Sequence, residues 1–298
     1  MIYSHSQNFL FKKELVEKLI NNCQFKNTDT VVDIGAGSGI ITDVLSKKVT
    51  KVKAFEIDNK YFEILKNKFG NNSKVELEKG DFLTHRFNMS ENPLQVFSNI
   101  PYNQTTKITK KILLDEEIFE NVYLVVQKQA AERLMGIKEG LLYSLFILNK
   151  YEPKIEHEFK YSDFKPVARV KSVLISFKRR EQNLVEFKDD KFFKDFISFL
   201  VMQQRPTILE RLEKLMPART AIELLKNSGI KTHASLYDIE KSKFFTLFQN
   251  FKLNNTSFHS KVEKSYQNYL RINESNVKTY RTRPAPKNEV HRPYHKRS

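Results

Sequence analysis

Asn99-Ile100-Pro101-Tyr102 brings a side-chain amide, a main-chain carbonyl, a rigid turn and a phenol ring into consecutive positions. That set suits the capture of a planar amine. The exocyclic nitrogen of an adenine is a poor nucleophile, because its lone pair is delocalised into the ring, and it becomes competent when its hydrogens are held by acceptors. Asn99 supplies one acceptor through its side-chain oxygen, and the Ile100 carbonyl supplies a second. Pro101 fixes the turn and Tyr102 offers a face for stacking. A base bound this way must first leave its own stack. The glycine loop Asp33-Ile34-Gly35-Ala36-Gly37-Ser38-Gly39 ends 60 residues before Asn99. Glycines permit positive φ and close approach of backbone to ligand, so the loop reads as a cradle for a nucleotide-like cofactor. A dinucleotide fingerprint would carry its third glycine one position later, where this chain has Ile40. Glu56, 17 residues past Gly39, is placed to accept from both ribose hydroxyls. Asp81 is placed to accept from an adenine amino group, with Phe82 beside the ring. Cradle and clamp together imply methyl transfer to the exocyclic nitrogen of a base.

The elements that must position these residues follow from pattern. Residues 30–34, TVVDI, read as a buried strand, and residues 40–48 as a helix. Residues 51–57 read as a second strand. Residues 61–69 carry Phe62, Leu65 and Phe69 on one helical face. Further strands are expected at 75–77, 94–98 and 122–126, with helices at 108–114 and through Ala131 and Leu134. This alternation predicts an α/β fold with a parallel doubly wound sheet, whose ligands bind beyond the carboxyl ends of the strands. Asp33, Glu56, Asp81 and Asn99 all fall at such ends. Residues 172–177 read as an edge strand. From about 179 to 255 the pattern is helical, with Phe192, Phe193, Phe196, Phe199 and Leu200 on one face and Leu209, Leu212, Leu215 and Met216 on another. Pro206 and Pro217 punctuate helix ends. The expected domains are therefore 1–178, catalytic; 179–255, a small C-terminal helical domain; and 256–298, a disordered basic tail. Residues 261–298 hold 10 Lys/Arg against 3 Asp/Glu, with Pro284, Pro286 and Pro293 among them.

Composition narrows the partner. Lys and Arg total 51 against 35 Asp and Glu, a net charge of +16 over 298 residues, which favours a polyanion and nucleic acid first. No basic amphipathic helix with a Trp/Phe/Leu face argues for a membrane surface. The single cysteine, Cys23, excludes an intrachain disulfide framework and a Cys-rich zinc site; it reads as a small buried hydrophobe. The histidines are scattered, and no cluster has metal spacing. The N-terminus lacks a signal-peptide pattern, and the longest apolar run, residues 141–148, is far short of the ~18 residues that span a bilayer. A soluble, cytoplasmic, metal-free protein is expected.

Ser6-Gln7-Asn8-Phe9-Leu10, Asp33-Ile34-Gly35-Ala36-Gly37, Glu56-Ile57-Asp58, Gly80-Asp81-Phe82, Asn99 to Tyr102, and Phe164-Lys165-Pro166 with Val170 and Ser172 occur in that order. In this the chain resembles the rRNA adenine N6-methyltransferases, which include the Erm resistance methylases and the KsgA-type dimethyladenosine transferases. The resemblance covers roughly residues 4–180 clearly and the helical region loosely. It implies a Rossmann-like class I fold that uses S-adenosylmethionine (SAM). Asn8, Leu10, Gly35, Gly37, Glu56, Ile57, Asp81, Phe82 and Asn99 would bind the cofactor. Asn99, Tyr102 and Phe164 would serve catalysis, the two rings flanking the target adenine. Lys110, Arg133 and Arg169 would contact RNA. Ile100, the Ser6-Gln7 start and Gly140-Leu141-Leu142-Tyr143-Ser144 point to the Erm branch; Gln127 to Arg133 has a KsgA character. Val167-Ala168 departs from the family's proline-rich stretch. The Erm branch implies a monomer that methylates one adenine of incompletely assembled 23S rRNA and confers macrolide, lincosamide and streptogramin B resistance. A KsgA-type enzyme on 16S rRNA is the first alternative. A non-catalytic RNA-binding assembly factor is another, although such a protein would be free to lose Glu56, Asp81, Asn99 or Tyr102. A DNA adenine methyltransferase would carry a separate sequence-reading domain.

Overall fold

A computed structural model describes residues 8–88, 93–137 and 140–282, with side chains as far as residue 273. Ser6, Gln7, Pro284, Pro286 and Pro293 lie outside the described residues. The strands are β1 (Phe9–Leu10), β2 (Thr30–Ile34), β3 (Lys51–Glu56), β4 (Val75–Lys79), β5 (Leu94–Asn99), β6 (Phe119–Gln127), β7 (Tyr151–Glu158), β8 (Phe164–Lys165) and β9 (Ser172–Arg179). The helices are α1 (Lys13–Asn21), α2 (Ile40–Lys48), α3 (Asn59–Phe69), α4 (Thr105–Lys110), α5 (Lys128–Leu134), α6 (Leu141–Lys150), α7 (Asp190–Met202), α8 (Ile208–Leu212), α9 (Ala218–Asn227), α10 (Lys241–Asn254) and α11 (Ser265–Thr282).

Among the described residues the main sheet has the order β4-β3-β2-β5-β6-β9-β7. The five strands from β4 to β6 are parallel; β9 runs antiparallel to both β6 and β7. The architecture is the Rossmann-like α/β fold expected, with its switch between β2 and β5. Central strands are apolar on both faces, as burial on both sides demands. Val32 of β2, Val96 of β5 and Leu124 of β6 enter one core, which continues into the helical region. Val31, Phe97 and Val125 enter the other, against α1 and α2.

Three expectations are corrected. First, β9 is interior, and the sheet ends at β7. The β7 sequence alternates buried or half-buried residues with exposed charges and carries Pro153, so it reads as a loop; an edge strand tolerates both features. Second, the helix expected at 108–114 is α4 followed by a π turn at Lys111–Asp115. Third, residues 256–282 are helical rather than disordered. A 3-10 segment spans Thr256–Val262 and leads into α11. The Asp195 carboxylate on α7 accepts from the Tyr266 N–H at 2.9 Å, satisfying a donor in the first turn of α11. The Tyr266 ring lies 5.4 Å from Phe146 and the Tyr269 ring 6.4 Å from Tyr143. A polar helix holds here because a few aromatic anchors dock it.

The helical region is not walled off from the sheet. Phe193 and Phe196 of α7 stack on Phe245 and Phe251 of α10. Phe193 also meets Phe146 of α6 at 6.1 Å. One continuous core therefore runs from Val122 and Ile175 of the sheet to Leu224 and Phe248 of the helices. Asn149 at the end of α6 accepts from the Val185 N–H at 2.7 Å, and Glu117 bonds both Lys150 and Arg179.

Candidate active site

The glycine loop leaves β2 and is stitched to β3. The Gly35 and Ala36 N–H groups donate to the Phe55 carbonyl at 2.8 and 3.0 Å. Gly35, Gly37 and Gly39 have φ of 69°, 55° and 75°. At Gly37 a Cβ would stand 2.6 Å from the Phe9 ring, and at Gly39 2.6 Å from Phe69 of α3. The first contact lays the N-terminal strap over the loop; the second packs α3 beneath it. Glu56, at the end of β3 and 2 % exposed, accepts from Gly37 N–H through Oε2 and Asp58 N–H through Oε1, both at 2.8 Å. Beside it, the Ile57 side chain is 51 % exposed.

Asp33 lies inside β2 rather than at its end, and it is buried. Its Oδ2 accepts from Thr42 Oγ1 at 2.7 Å, and its Oδ1 has no partner. Burial, with Glu56 nearby, pushes its pKa up to about 7. Asp81 is exposed on the turn after β4 and accepts from Leu83 N–H at 2.9 Å. The Phe82 ring is not beside a ligand surface: it is buried edge-on to Phe55 at 5.3 Å, with Phe87 also against it.

The clamp follows β5. Asn99 Nδ2 donates to the Asn8 carbonyl at 2.7 Å, while its Oδ1 is buried with no partner. A narrow pocket is lined by Asn8, Phe9, Gly35, Asn99, Ile100, Pro101 and Tyr102. The Ile100 side chain is buried in the core, so its main chain borders that pocket. The Tyr102 hydroxyl lies 2.6 Å from Ser172 Oγ. Ser172 Oγ also lies 3.3 Å from the Val170 carbonyl, to which it can donate, and either hydroxyl can donate in the Tyr102–Ser172 bond. Burial raises the Tyr102 pKa, opposed by its bonds to Ser172 and the Asn8 side chain.

The strap is anchored away from the pocket. β1 pairs antiparallel with β8, Leu10 opposite Phe164, and Lys12 bonds Asp163 at 2.8 Å. Leu10 and Phe164 are 2 % and 1 % exposed. Phe164 packs on Phe159 at 5.3 Å, so its ring and the Leu10 side chain support the strap from the core and present no face to a ligand. Of the expected RNA contacts, Arg133 and Arg169 are exposed, but Lys110 is held by both oxygens of Asp115 at 2.8–2.9 Å. No group of three or more His, Cys, Asp or Glu that could hold a metal ion occurs among the described residues, and no described helix is long and apolar enough to cross a membrane. The Tyr102–Ser172 bond is the feature the sequence hid: Ser172 stands in a motif, but nothing local ties it to a ring 70 residues away.

A seven-stranded α/β sheet with a glycine loop after β2 and an acidic residue ending β3 defines a SAM-dependent methyltransferase fold. The chain belongs to the ribosomal RNA adenine dimethylase family, whose model matches residues 3–253. A relative from Borrelia garinii subsp. bavariensis, called "Ribosomal RNA small subunit methyltransferase A", is 33% identical over 227 residues, 75% of this chain and 76% of the relative. An "rRNA adenine N-6-methyltransferase" of Lysinibacillus sphaericus is 31% identical over 253 residues, 84% of this chain and 96% of the relative. Among solved structures, 23S rRNA methyltransferase ErmE superposes with a TM-score of 0.74 at 21% identity, over 82% of this chain and 100% of that one. A dimethyladenosine transferase from Plasmodium falciparum gives 0.66 at 18% identity, over 82% and 97%. The protein is thus an enzyme, a SAM-dependent rRNA adenine N6-methyltransferase.

Proposed function

We propose that the protein methylates N6 of one adenine in 23S rRNA, and that Asn99 is the acceptor that prepares the nitrogen. The observation carrying this reading is the orphaned Asn99 Oδ1. Its amide partner, Nδ2, is committed to the Asn8 carbonyl, so the side chain cannot turn over without breaking that bond. A buried unpaired acceptor costs about 1–3 kcal/mol, and an arriving amino hydrogen removes that cost. The Ile100 carbonyl serves as second acceptor on the same wall. Tyr102, held by Ser172, stacks on the base.

SAM supplies an electrophilic methyl group. The residues present fit it. Each Glu56 oxygen accepts one N–H and keeps lone pairs for the ribose hydroxyls. The exposed Ile57 side chain offers an apolar face to the adenine, and Asp81 offers a carboxylate to its amino group. Gly35, Gly37 and Asn8 contact the cofactor along loop and strap; Leu10, Phe82 and Phe164 act through the core that holds them. Exposed Arg133 and Arg169 meet RNA phosphates.

The 23S target is supported by Ile100 in the clamp and by the Gly140-Leu141-Leu142 sequence that opens α6; the Lysinibacillus sphaericus relative, matched over 96% of its length, supports the adenine N6 chemistry. Such an enzyme works in the cytoplasm as a monomer, before the subunit is assembled, and confers macrolide, lincosamide and streptogramin B resistance. The 33% identical Borrelia relative favours a second reading, a small-subunit target. Primer extension on rRNA from cells expressing the protein separates them. A new stop in 23S, with erythromycin and clindamycin resistance together, is the expected result; a stop in 16S with unchanged drug sensitivity selects the second reading. Asn99→Ala should slow methylation by about 10²–10³-fold, as loss of one donor does at an oxyanion hole. An undiminished rate in Asn99→Ala would overturn the clamp.

A further inference from the structure

Next to the clamp, and sharing no lining residue with its pocket, is an open cleft of about 440 Å³. Gln127, Gln129, Tyr161, Arg169, Val170 and Lys171 line it. We infer that this cleft seats the base of a nucleotide adjoining the target adenine in the RNA strand, so that the enzyme reads its substrate one step beyond the reacting base. The inference rests on the reading that the target adenine is delivered to Asn99.

Three observations carry it. The first is position. Gln127 ends β6 and faces Ser172 across the β6–β9 ladder, and Ser172 is the residue that holds Tyr102. Lys171 and Val170 immediately precede it. Asn99 pairs with Val125 on the neighbouring strand, so Gln127 lies two residues past that level along β6, about 7 Å at strand rise. That is on the order of one nucleotide step in an unstacked strand. A base flipped onto Tyr102 therefore leaves its neighbour at the mouth of this cleft.

The second is chemistry. Gln127 and Gln129 each offer both donors and an acceptor, the complement of a base edge. Tyr161 is 46 % exposed and supplies a face for stacking, the usual means by which proteins hold unpaired bases. Arg169 and Lys171 form no salt bridge with a described residue, whereas Lys128 on the same wall is bonded to Glu158 at 2.7 Å. Glu132 also lines the cleft, and Glu158 feels the charge of Lys171, but the wall keeps more cations than carboxylates, which suits the phosphates on either side of a bound base. A purely electrostatic track would need neither the amides nor the ring.

The third is rigidity. Tyr161 opens a 3-10 turn whose Asp163 accepts from Lys160 N–H and Lys12 Nζ, both at 2.8 Å. The Tyr161 carbonyl accepts from Ala168 N–H at 3.1 Å. The ring is thus carried on a turn pinned at both ends, which lowers the ordering cost of binding.

The test is a cycle between protein and RNA. With the target mapped, short RNAs are made that carry an abasic residue at its 5′ or its 3′ neighbour, and methylation is measured for wild type, Tyr161→Ala and Tyr161→Phe. On intact RNA, Tyr161→Ala should raise KM about 5- to 150-fold, the range for losing one base–aromatic stack, with kcat little changed; Tyr161→Phe should keep the wild-type value. One of the two abasic RNAs should cost wild type a similar factor and cost Tyr161→Ala nothing further. Equal abasic penalties for wild type and Tyr161→Ala at both neighbours, or an unchanged KM in Tyr161→Ala, overturn the subsite. Loss of methylation at adenine altogether, or full activity in Asn99→Ala, would instead strike the clamp, which this cycle does not probe.

Discussion

Replacing Asp33 by Asn should change how stability depends on pH, by an amount the structure sets. Asp33 is buried, and its pKa is pushed up to about 7, against about 3.9 for an aspartate in an unfolded chain. The folded protein therefore holds a proton at this site across a window in which the unfolded chain has released it. Stability is highest below about pH 4, falls as pH rises towards 7, and is flat above. The slope inside the window is about 1.4 kcal/mol per pH unit. From pH 5 to pH 8 the wild type should lose about 2–3 kcal/mol from this group alone, on the order of 5 °C in Tm for a chain of this size. The amide introduced by Asp33→Asn cannot titrate. Its oxygen still accepts from Thr42, and its nitrogen replaces the unpartnered oxygen at a cost independent of pH. All other groups are common to both proteins and cancel in the difference. Thermal unfolding of the two proteins at pH 5, 6, 7 and 8 should give a stability difference that shifts steadily in favour of Asp33→Asn as pH rises and levels off above about pH 7. Parallel curves would show that Asp33 does not hold its proton in the folded state.

Two further outcomes follow from single contacts. Tyr102→Phe keeps the stacking ring but loses the bond to Ser172, so methylation should fall about 2- to 12-fold, the equivalent of one net hydrogen bond; Ser172→Ala should match it and the double variant should add nothing, whereas Tyr102→Ala loses stacking worth ~1–3 kcal/mol. A Tyr102→Phe enzyme as slow as Tyr102→Ala would assign the phenol a role beyond orientation. A chain ending at residue 263 should melt lower by ~2–5 kcal/mol of lost packing, because Tyr266 and Tyr269 leave Tyr143 and Phe146 bare. A chain ending at 282 should melt as full length does. It lacks five Lys/Arg and one Glu, and its RNA affinity should depend less steeply on salt, by ~0.7–0.9 per contact removed; equal melting of the 263 and 282 chains refutes the docking of α11, and equal salt slopes refute a role for the basic end.

What the sequence disclosed was what is local. β2 and α2 have the expected bounds, Thr30–Ile34 and Ile40–Lys48, because a run of β-branched residues meets a glycine loop and then an amphipathic face. The positions of the glycine loop and of Asn99 to Tyr102 after strand ends were legible for the same reason: each group is a short stretch of consecutive residues. β7 was missed because an edge strand has one wet face, so Glu152, Lys154 and Glu156 break up the apolar signal. α11 was taken for disorder because polar residues dominate its composition, while the docking is done by residues spaced along one side. Phe82 and Phe164 could not be assigned a direction from sequence, since a ring beside a turn can point to ligand or to core with the same local pattern. The Tyr102–Ser172 bond depends on the turn after β5 reaching past the end of β6 to the start of β9, and no spacing rule reaches that far.

The continuous core between sheet and helices bears on engineering. Exchanging target preference among relatives by swapping everything after β9 would cut through Phe146–Phe193 and through the Asn149 bond to Val185. Such a chimera would inherit mismatched halves of one interior, and its failure to methylate would report on packing rather than on recognition. A graft that respects the molecule has to move α6, β7 and β9 together with α7 to α11. By that measure the unit of inheritance begins near Gly140, well before the composition of the chain changes.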